Sequence, residues 1–421
     1  MDIVREPARD VPVVARPDVL VVGGGAAGIA AATAAARRGA DTMLVEGSGF
    51  LGGLASLGLI NLLLTMDDGA GTQVVAGICQ EVVDRLEAGG HARFPSAEEW
   101  NRDDPALVDH WRRWGLVWGA PPEAVRYSVA FDPEAFIDVA HDLLGQGQVR
   151  LRLHTWFADV LLDGGGRIDA VLVESKAGRE AICPSVVVDA TGDGDVFVAA
   201  GAEHERVATP AHLWFRVGGV DMDEAEREPG LWFRTTGAGR VLVPWGPGEG
   251  RVDACDPDQV TEALVTGRVS GRAAFESLRA GAPGFADSWL DDHARLLGVT
   301  ESRRLVGHHV LTKEEGDVRF ADSVAQTGHW TRRKVVYDVP YRCLRTPVSS
   351  NLLVAGRCIS TTRYVHQATK EIPAAMATGE AAGVAAALAA PGGDVHAVDV
   401  DALRADLRAG GAIIGGDGVG R

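Results

Sequence analysis

At 421 residues the chain exceeds one ordinary hydrophobic core and suggests roughly two domains, with 46% hydrophobic and 24% charged residues as in globular proteins. A net charge of −17 argues against non-specific binding to nucleic acid or to anionic membranes and leaves a small-molecule enzyme open. Five scattered cysteines (Cys79, Cys183, Cys255, Cys343, Cys358) form no CxxC and no metal-ligand spacing, so neither a metal site nor a dithiol relay is expected.

An odd, unclustered cysteine set reads as reduced and cytoplasmic. The charged start MDIVREPARD lacks the apolar run of a signal peptide, and no stretch approaches the ~18 apolar residues of a membrane span. Only four basic residues are lysines (Lys176, Lys313, Lys334, Lys370), a skew toward arginine that reads as a GC-rich bacterial coding bias.

In chain order, Val19–Val22 is a short apolar run that predicts a buried parallel strand. Glycines 23–25 break it, Ala26–Arg38 predicts an alanine-rich helix, and Thr42–Val45 a second strand ending at Glu46. Together they make one βαβ unit. A helix is expected around Val74–Leu86, then a polar stretch rich in tryptophan (Trp100, Trp111, Trp114, Trp118), whose rings serve packing or a substrate cage. Pro133–Leu144 reads as a helix, and Val149–Asp163 and Ile168–Ser175 as paired strands. Ile182–Asp189 is an apolar strand running into Ala190-Thr191-Gly192-Asp193. Residues 206–334 are more charged and irregular; Leu352–Ala355 is a last buried strand and Ala374–Leu388 a small-residue helix.

Gly23-x-Gly25-x-x-Gly28 stands after a strand and opens a helix, as a dinucleotide fingerprint requires. The first glycine permits the turn, the second lets backbone approach a pyrophosphate, and the third allows close helix–strand packing. Helix N–H groups then face the phosphates. Glu46, 18 residues after Gly28, is placed to accept hydrogen bonds from ribose hydroxyls, a feature common to FAD and NAD sites. Gly52-Gly53 offers a second backbone approach and is equally readable as a plain turn. Pro373 at a helix start leaves N–H groups and the positive dipole end free to stabilise negative charge.

With these segments in order, the chain resembles the FAD-dependent oxidoreductases related to fumarate reductase flavoproteins and the glutathione reductase superfamily. The resemblance runs from about residue 18 to about residue 390, through GGGAAG, FLGGLAS, FDPEAF, VVDATGDGDV with AAGAEH, ESRRLVGHHVLTKEEG, VPYRCLRTPVSSNLLVAGRCIS and PAAMATGEAAGVAAALA. It implies non-covalent FAD lined by Gly23, Gly25, Ala26, Ala27, Gly28, Glu46, Gly52, Gly53, Phe157, Thr191, Gly192, Asp193, Gly356 and Arg357. It also implies that the helix of Pro373, Ala374, Ala375 and Met376 points at the isoalloxazine. The expected fold is α/β. A Rossmann-like, parallel-sheet FAD domain (14–60, 131–205, 335–392) is interrupted by a mostly helical insert (61–130) and an α+β substrate or cap domain (206–334). A tail (393–421) follows.

The chain departs from such proteins at His308-His309, Arg363-Tyr364-Val365 and Lys370-Glu371, near the expected substrate face. Among candidate reacting groups, His366 has the most suitable ordinary pKa for a proton acceptor, and a loop cap is its plainer reading. Lys370 or Arg363 would anchor the substrate beside Tyr364, with Arg303 approaching from the second domain. Surface or pyrophosphate roles for Lys370 are equally open. Arg303 and Arg304 are read on a helix, where one anchors a carboxylate and the other an interface. At most one of His308 and His309 points inward.

The absence of a second strand–GxGxxG–helix unit disfavours a dedicated NAD(P)H domain. The expected function is oxidation or reduction of a small polar metabolite by a dehydrogenase or oxidase, with dioxygen or a redox partner closing the cycle. The alternatives are a C=C reductase and a non-redox flavoprotein; a homo-oligomer is compatible with either.

Overall fold

A computed structural model describes residues 3–119, 123–228, 230–246, 250–316 and 318–415. Five strands join in one all-parallel sheet, in the order Leu352–Val354, Val186–Asp189, Val19–Val22, Thr42–Val45, Arg150–Arg152. The first four are buried along their whole length, which is why they are continuous Val/Leu runs with no alternation. Arg150–Arg152 closes one edge, and its two arginines suit an edge strand half open to water.

The helices Ala26–Ala36 and Ile372–Ala389 pack together against this sheet. A β-carbon on Gly379 or Gly383 would collide with the backbone carbonyl of Ala27 or Ala31, so the two helices meet backbone to backbone. Among the described residues Ile372–Ala389 is the helix long and apolar enough to cross a membrane, yet 78% of it is buried as core.

Four predicted elements fall differently. Ile182–Asp189 is broken at Pro184: Ile182 ends the strand Gly178–Ile182, antiparallel to Ile168–Ser175, while Val186–Asp189 joins the parallel sheet. Val149–Asp163 is two strands: Arg150–Arg152 joins the parallel sheet, while Trp156–Leu162 pairs with Ile168–Ser175 in a separate antiparallel one. His154, at φ +51°, turns the chain between them. The insert is less helical than expected. Beside helices Ile78–Ala88 and Pro105–Arg112 it holds a small antiparallel sheet of Leu62–Leu63, Val129–Phe131 and Ala92–Arg93. Arg303 and Arg304 lie on a strand, Arg303–Leu305, antiparallel to His204–Arg206, and not on a helix. The pairing partner is 99 positions away, so no local pattern announces it.

Residues 206–334 include a four-stranded antiparallel sheet, ordered Phe233–Arg234, Val241–Val243, Phe215–Gly218, Trp289–His293. The helix Pro257–Gly281, capped by Asp256, also belongs to this region. The tail carries the helix Val400–Ala409, and its residues 416–421 lie outside the described residues.

Candidate active site

The Val19–Val22 strand ends in Gly23, whose φ of +102° and tight approach to the Ala190 carbonyl admit no side chain. Gly28 sits against the carbonyl of Gly23, which closes the turn onto the helix it opens. Glu46, at the end of the neighbouring strand, accepts from the N–H of Gly24 and of Ser48, each at 2.7 Å. Gly52 donates its N–H to the carbonyl of Gly24 at 2.8 Å, and Gly25 and Gly52 form a parallel bridge. The Gly52-Gly53 turn is thus laid directly on the fingerprint loop.

The third wall comes from the Val186–Asp189 strand. Asp189 is fully buried, accepts from Thr191 and caps the short helix Asp195–Ala199 through the N–H groups of Val196 and Phe197, each at 3.0 Å. Burial pushes its carboxyl up to about 6. Gly192 packs under the guanidinium of Arg357, which donates to Asp193 at 2.8 Å. Gly356 completes the ring against Ala27 and Ala375. Gly23, Gly25, Ala27, Gly28, Glu46, Gly52, Gly53, Gly192, Asp193, Gly356 and Arg357 therefore stand at one end of one sheet, with Ala26 and Thr191 beside them.

This end suits a dinucleotide. The first turn of Ala26–Ala36 has no capping side chain and no acid, and a β-carbon on Gly25 would meet nothing within 4 Å. Free helix N–H groups facing open space are an anion site by construction. The Arg357 Nε is buried without a partner, a further donor aimed into the same region. The helix Ile372–Ala389 likewise starts with Pro373 and neither side-chain cap nor acid in its first turn. Ala374 and Met376 are sealed by protein on that helix, at 1% and 0% exposure, leaving its backbone end as the functional element. Phe157 lies half-buried on the antiparallel sheet, next to Trp156, whose ring covers Gly47.

The segment Arg363–Thr369 is a helix, with Lys370 as its C-cap. His366, read as the proton acceptor, is completely buried, and its Nε2–H donates to the carbonyl of Thr300 at 3.1 Å. Burial, with Lys370 and Arg304 nearby, pushes its pKa down to about 3. A ring sealed by protein and neutral throughout the physiological range is a brace between two segments, which corrects the expected role. Arg303 is also reassigned: it donates to the Asp193 carbonyl at 2.6 Å and to Asp195, so it clamps the nucleotide-side loop. Arg304 is buried against Glu301, Glu205 and the Thr361 carbonyl. Arg363 is half exposed and pairs with Glu301 at 3.5 Å.

Lys370 and Tyr364 both contact the segment 329–332. Lys370 pairs with Glu371 at 2.9 Å and lies 5.6 Å from the ring centre of Trp330. Tyr364 is flanked by Lys313 and Arg332, each 4.9 Å from its ring, and its hydroxyl accepts from Arg332. The neighbours Trp330, Arg332 and His329 come from residues 206–334, whose irregular spacing hid them. The one available signal was the basic triplet Arg332-Arg333-Lys334 in a lysine-poor chain. The tryptophans of 100–118 pack: Trp100 stacks on Tyr127 at 4.6 Å and Trp118 meets Trp330 edge-on at 5.6 Å. His308 and His309 stand off any helix, against His396 and Phe320 respectively.

Comparison with known proteins identifies the family. The family described as FAD dependent oxidoreductase matches residues 18–240 and 231–407. No curated protein matches in sequence. A triple mutant of a flavin-dependent brominase superimposes with a TM-score of 0.50 at 14% identity, over 93% of this chain and 84% of its own. The p-nitrophenol 4-monooxygenase of Pseudomonas putida gives 0.49 at 12% identity, over 93% and 84%. A geranylgeranyl bacteriochlorophyll reductase-like protein of Thermoplasma acidophilum gives 0.48 at 14% identity, over 94% and 83%. At 14% identity the brominase likeness, at a TM-score of 0.50, speaks for the fold alone, while the family match spans nearly the whole length. The chain belongs to the FAD dependent oxidoreductase family, an FAD-dependent enzyme of Rossmann-type α/β fold.

Proposed function

We propose that the enzyme is a dehydrogenase or oxidase of a small polar metabolite, holding FAD non-covalently, with dioxygen or a redox partner closing its cycle. Bound FAD supplies the two-electron chemistry, and the protein supplies position and electrostatics. The fingerprint turn and the Gly52-Gly53 turn hold the diphosphate and ribose, with Glu46 on the ribose. Arg357 and Asp193 fix the far wall, and the uncapped start of Ile372–Ala389 favours negative charge nearby.

The observation that carries the substrate side is Lys370. Its side chain is only 13% exposed, and it stands two residues before the helix that faces the cofactor. Around it are Glu371, Trp330, His212 and His329. A mostly buried ammonium among several hydrogen-bonding groups would orient a polar molecule through charge-assisted bonds.

Anaerobic mixing with candidate polar metabolites tests the reading. One of them should bleach the visible flavin band, and Lys370→Met should slow that bleaching by about a hundredfold, the scale of a lost positioning contact. Acid precipitation should release the FAD. Flavin that dithionite bleaches but no polar metabolite does would overturn the proposal.

A further inference from the structure

A chain of net charge −17 gathers four cations around one hollow. Arg126, Arg332, Arg333 and Lys334 line a cavity of about 460 Å³ together with Trp118 and Glu123. Glu123, the carboxylate among them, is taken by Arg112. Arg126 is 4% exposed, donates to the carbonyls of His329 and Arg332 at 2.8 and 3.2 Å, and has Asp67 and Asp68 as its counter-charges.

The other three lack that compensation. Arg333 donates to the Gly69 carbonyl at 3.1 Å and to the amide oxygen of Asn101, and Arg332 donates to the Tyr364 hydroxyl. Among the described residues no carboxylate pairs with Arg332, Arg333 or Lys334.

The three cations are also fixed in place. They sit on the turn between strands Ser323–Gly328 and Val336–Pro340. The turn that carries them is held by its backbone N–H groups: that of His329 donates to the Val335 carbonyl at 3.0 Å, that of Arg332 to the His329 carbonyl at 3.1 Å, and that of Lys334 to the Asp68 carbonyl at 2.7 Å. Lys334 takes a φ of +59°, a conformation costly for a lysine. The local field is positive: His329, buried and beside Arg332, Arg126 and Lys370, is pushed down to about 4. Like charges crowded on a concave surface repel one another until an anion arrives, and guanidinium forks match the oxygens of phosphate or carboxylate.

The hollow lies beside Lys370 and Tyr364, because Arg332 bonds Tyr364, Trp118 meets Trp330, and Lys370 lies over Trp330. We infer that this hollow holds the oxyanion end, a phosphate or a carboxylate, of the enzyme's small-molecule substrate. The inference rests on reading Lys370 as part of the substrate face.

Calorimetric titration of the FAD-loaded enzyme with pyrophosphate, and in parallel with citrate, tests it. At least one anion should bind saturably at one site per chain, the tighter one identifying phosphate or carboxylate. The double variant Arg332→Gln, Lys334→Gln changes two exposed side chains and should keep its flavin colour while binding about tenfold more weakly or worse. The metabolite that bleaches the flavin should displace the anion. Heat from neither anion, equal affinity in the double variant, or simultaneous binding of anion and metabolite would overturn the inference. A yellow, bleachable enzyme with any of those results leaves the proposed reaction standing, whereas a colourless protein strikes at the cofactor site instead.

Discussion

Glu46 spends its carboxylate on two backbone N–H groups, those of Gly24 and Ser48, so it shapes the loop as well as holding the ribose in the proposed cradle. Glu46→Ala should therefore weaken FAD binding by about 1.5–3 kcal/mol, the range for hydrogen bonds to a charged group. An unchanged dissociation constant by flavin fluorescence would confine the carboxylate to local bracing. His366 gives a second prediction. Its folded pKa of about 3 lies below the ordinary 6.5, so in that window the unfolded chain binds the extra proton. The folded state loses this share of stability as pH falls from about 6.5 toward 3. His366→Gln keeps an N–H for Thr300 and removes the titration; its melting temperature should decline less steeply over that range. Parallel declines in the two proteins would refute it.

At the scale of elements, the contact of Ala26–Ala36 with Ile372–Ala389 joins fold and site. Gly379 meets Ala27, in the first turn proposed to hold the phosphates, and Gly383 meets Ala31 one turn deeper. Gly383→Ala should cost about 1–3 kcal/mol of stability by overpacking, while Gly379→Ala should also lower FAD retention. Equal flavin content in both variants would contradict this. On the same helix Glu380, 3% exposed, accepts from the Ile78 N–H at 2.9 Å, and burial pushes it up to about 7. The folded form holds its proton longer than the unfolded chain. Stability from this group is therefore present below about pH 4.5 and falls by about 3 kcal/mol as pH rises to 7. Glu380→Gln should flatten that slope in denaturant titrations at several pH values, and an unaltered slope would refute it.

These elements also show what a sequence can disclose. The Val19–Val22 strand, its glycine turn and the following helix are local, so an apolar run and glycine spacing sufficed. The split of 149–163 and the strand at Arg303–Leu305 depend on partners far along the chain, which no window of residues contains. His366 looked reactive from its chemistry alone; only packing against Thr300 and the neighbouring cations shows it to be a neutral brace. The hollow of Arg332–Lys334 needed Arg126 from the insert to become visible.

For the whole molecule, the proposed FAD cradle is drawn from loops between Gly23 and Arg357, so FAD held there would turn its binding free energy into stability of the entire assembly. Free FAD at a hundred times its dissociation constant should raise unfolding stability by about 2.7 kcal/mol, read as a concentration-dependent melting temperature. A melting temperature blind to added FAD would mean that the cradle is not coupled to global unfolding.

The Leu352–Val354 strand borders Val186–Asp189, and the helix from Ile372 covers the first helix of the chain. On the ribosome, then, the amino-terminal βαβ unit emerges long before its neighbours exist. Until residues 352–389 have been synthesised, the Val186–Asp189 edge and the apolar flank of Ala26–Ala36 lack this cover. A nascent chain stopped before residue 350 would also lack Gly356 and Arg357, and with them one wall of the proposed cradle.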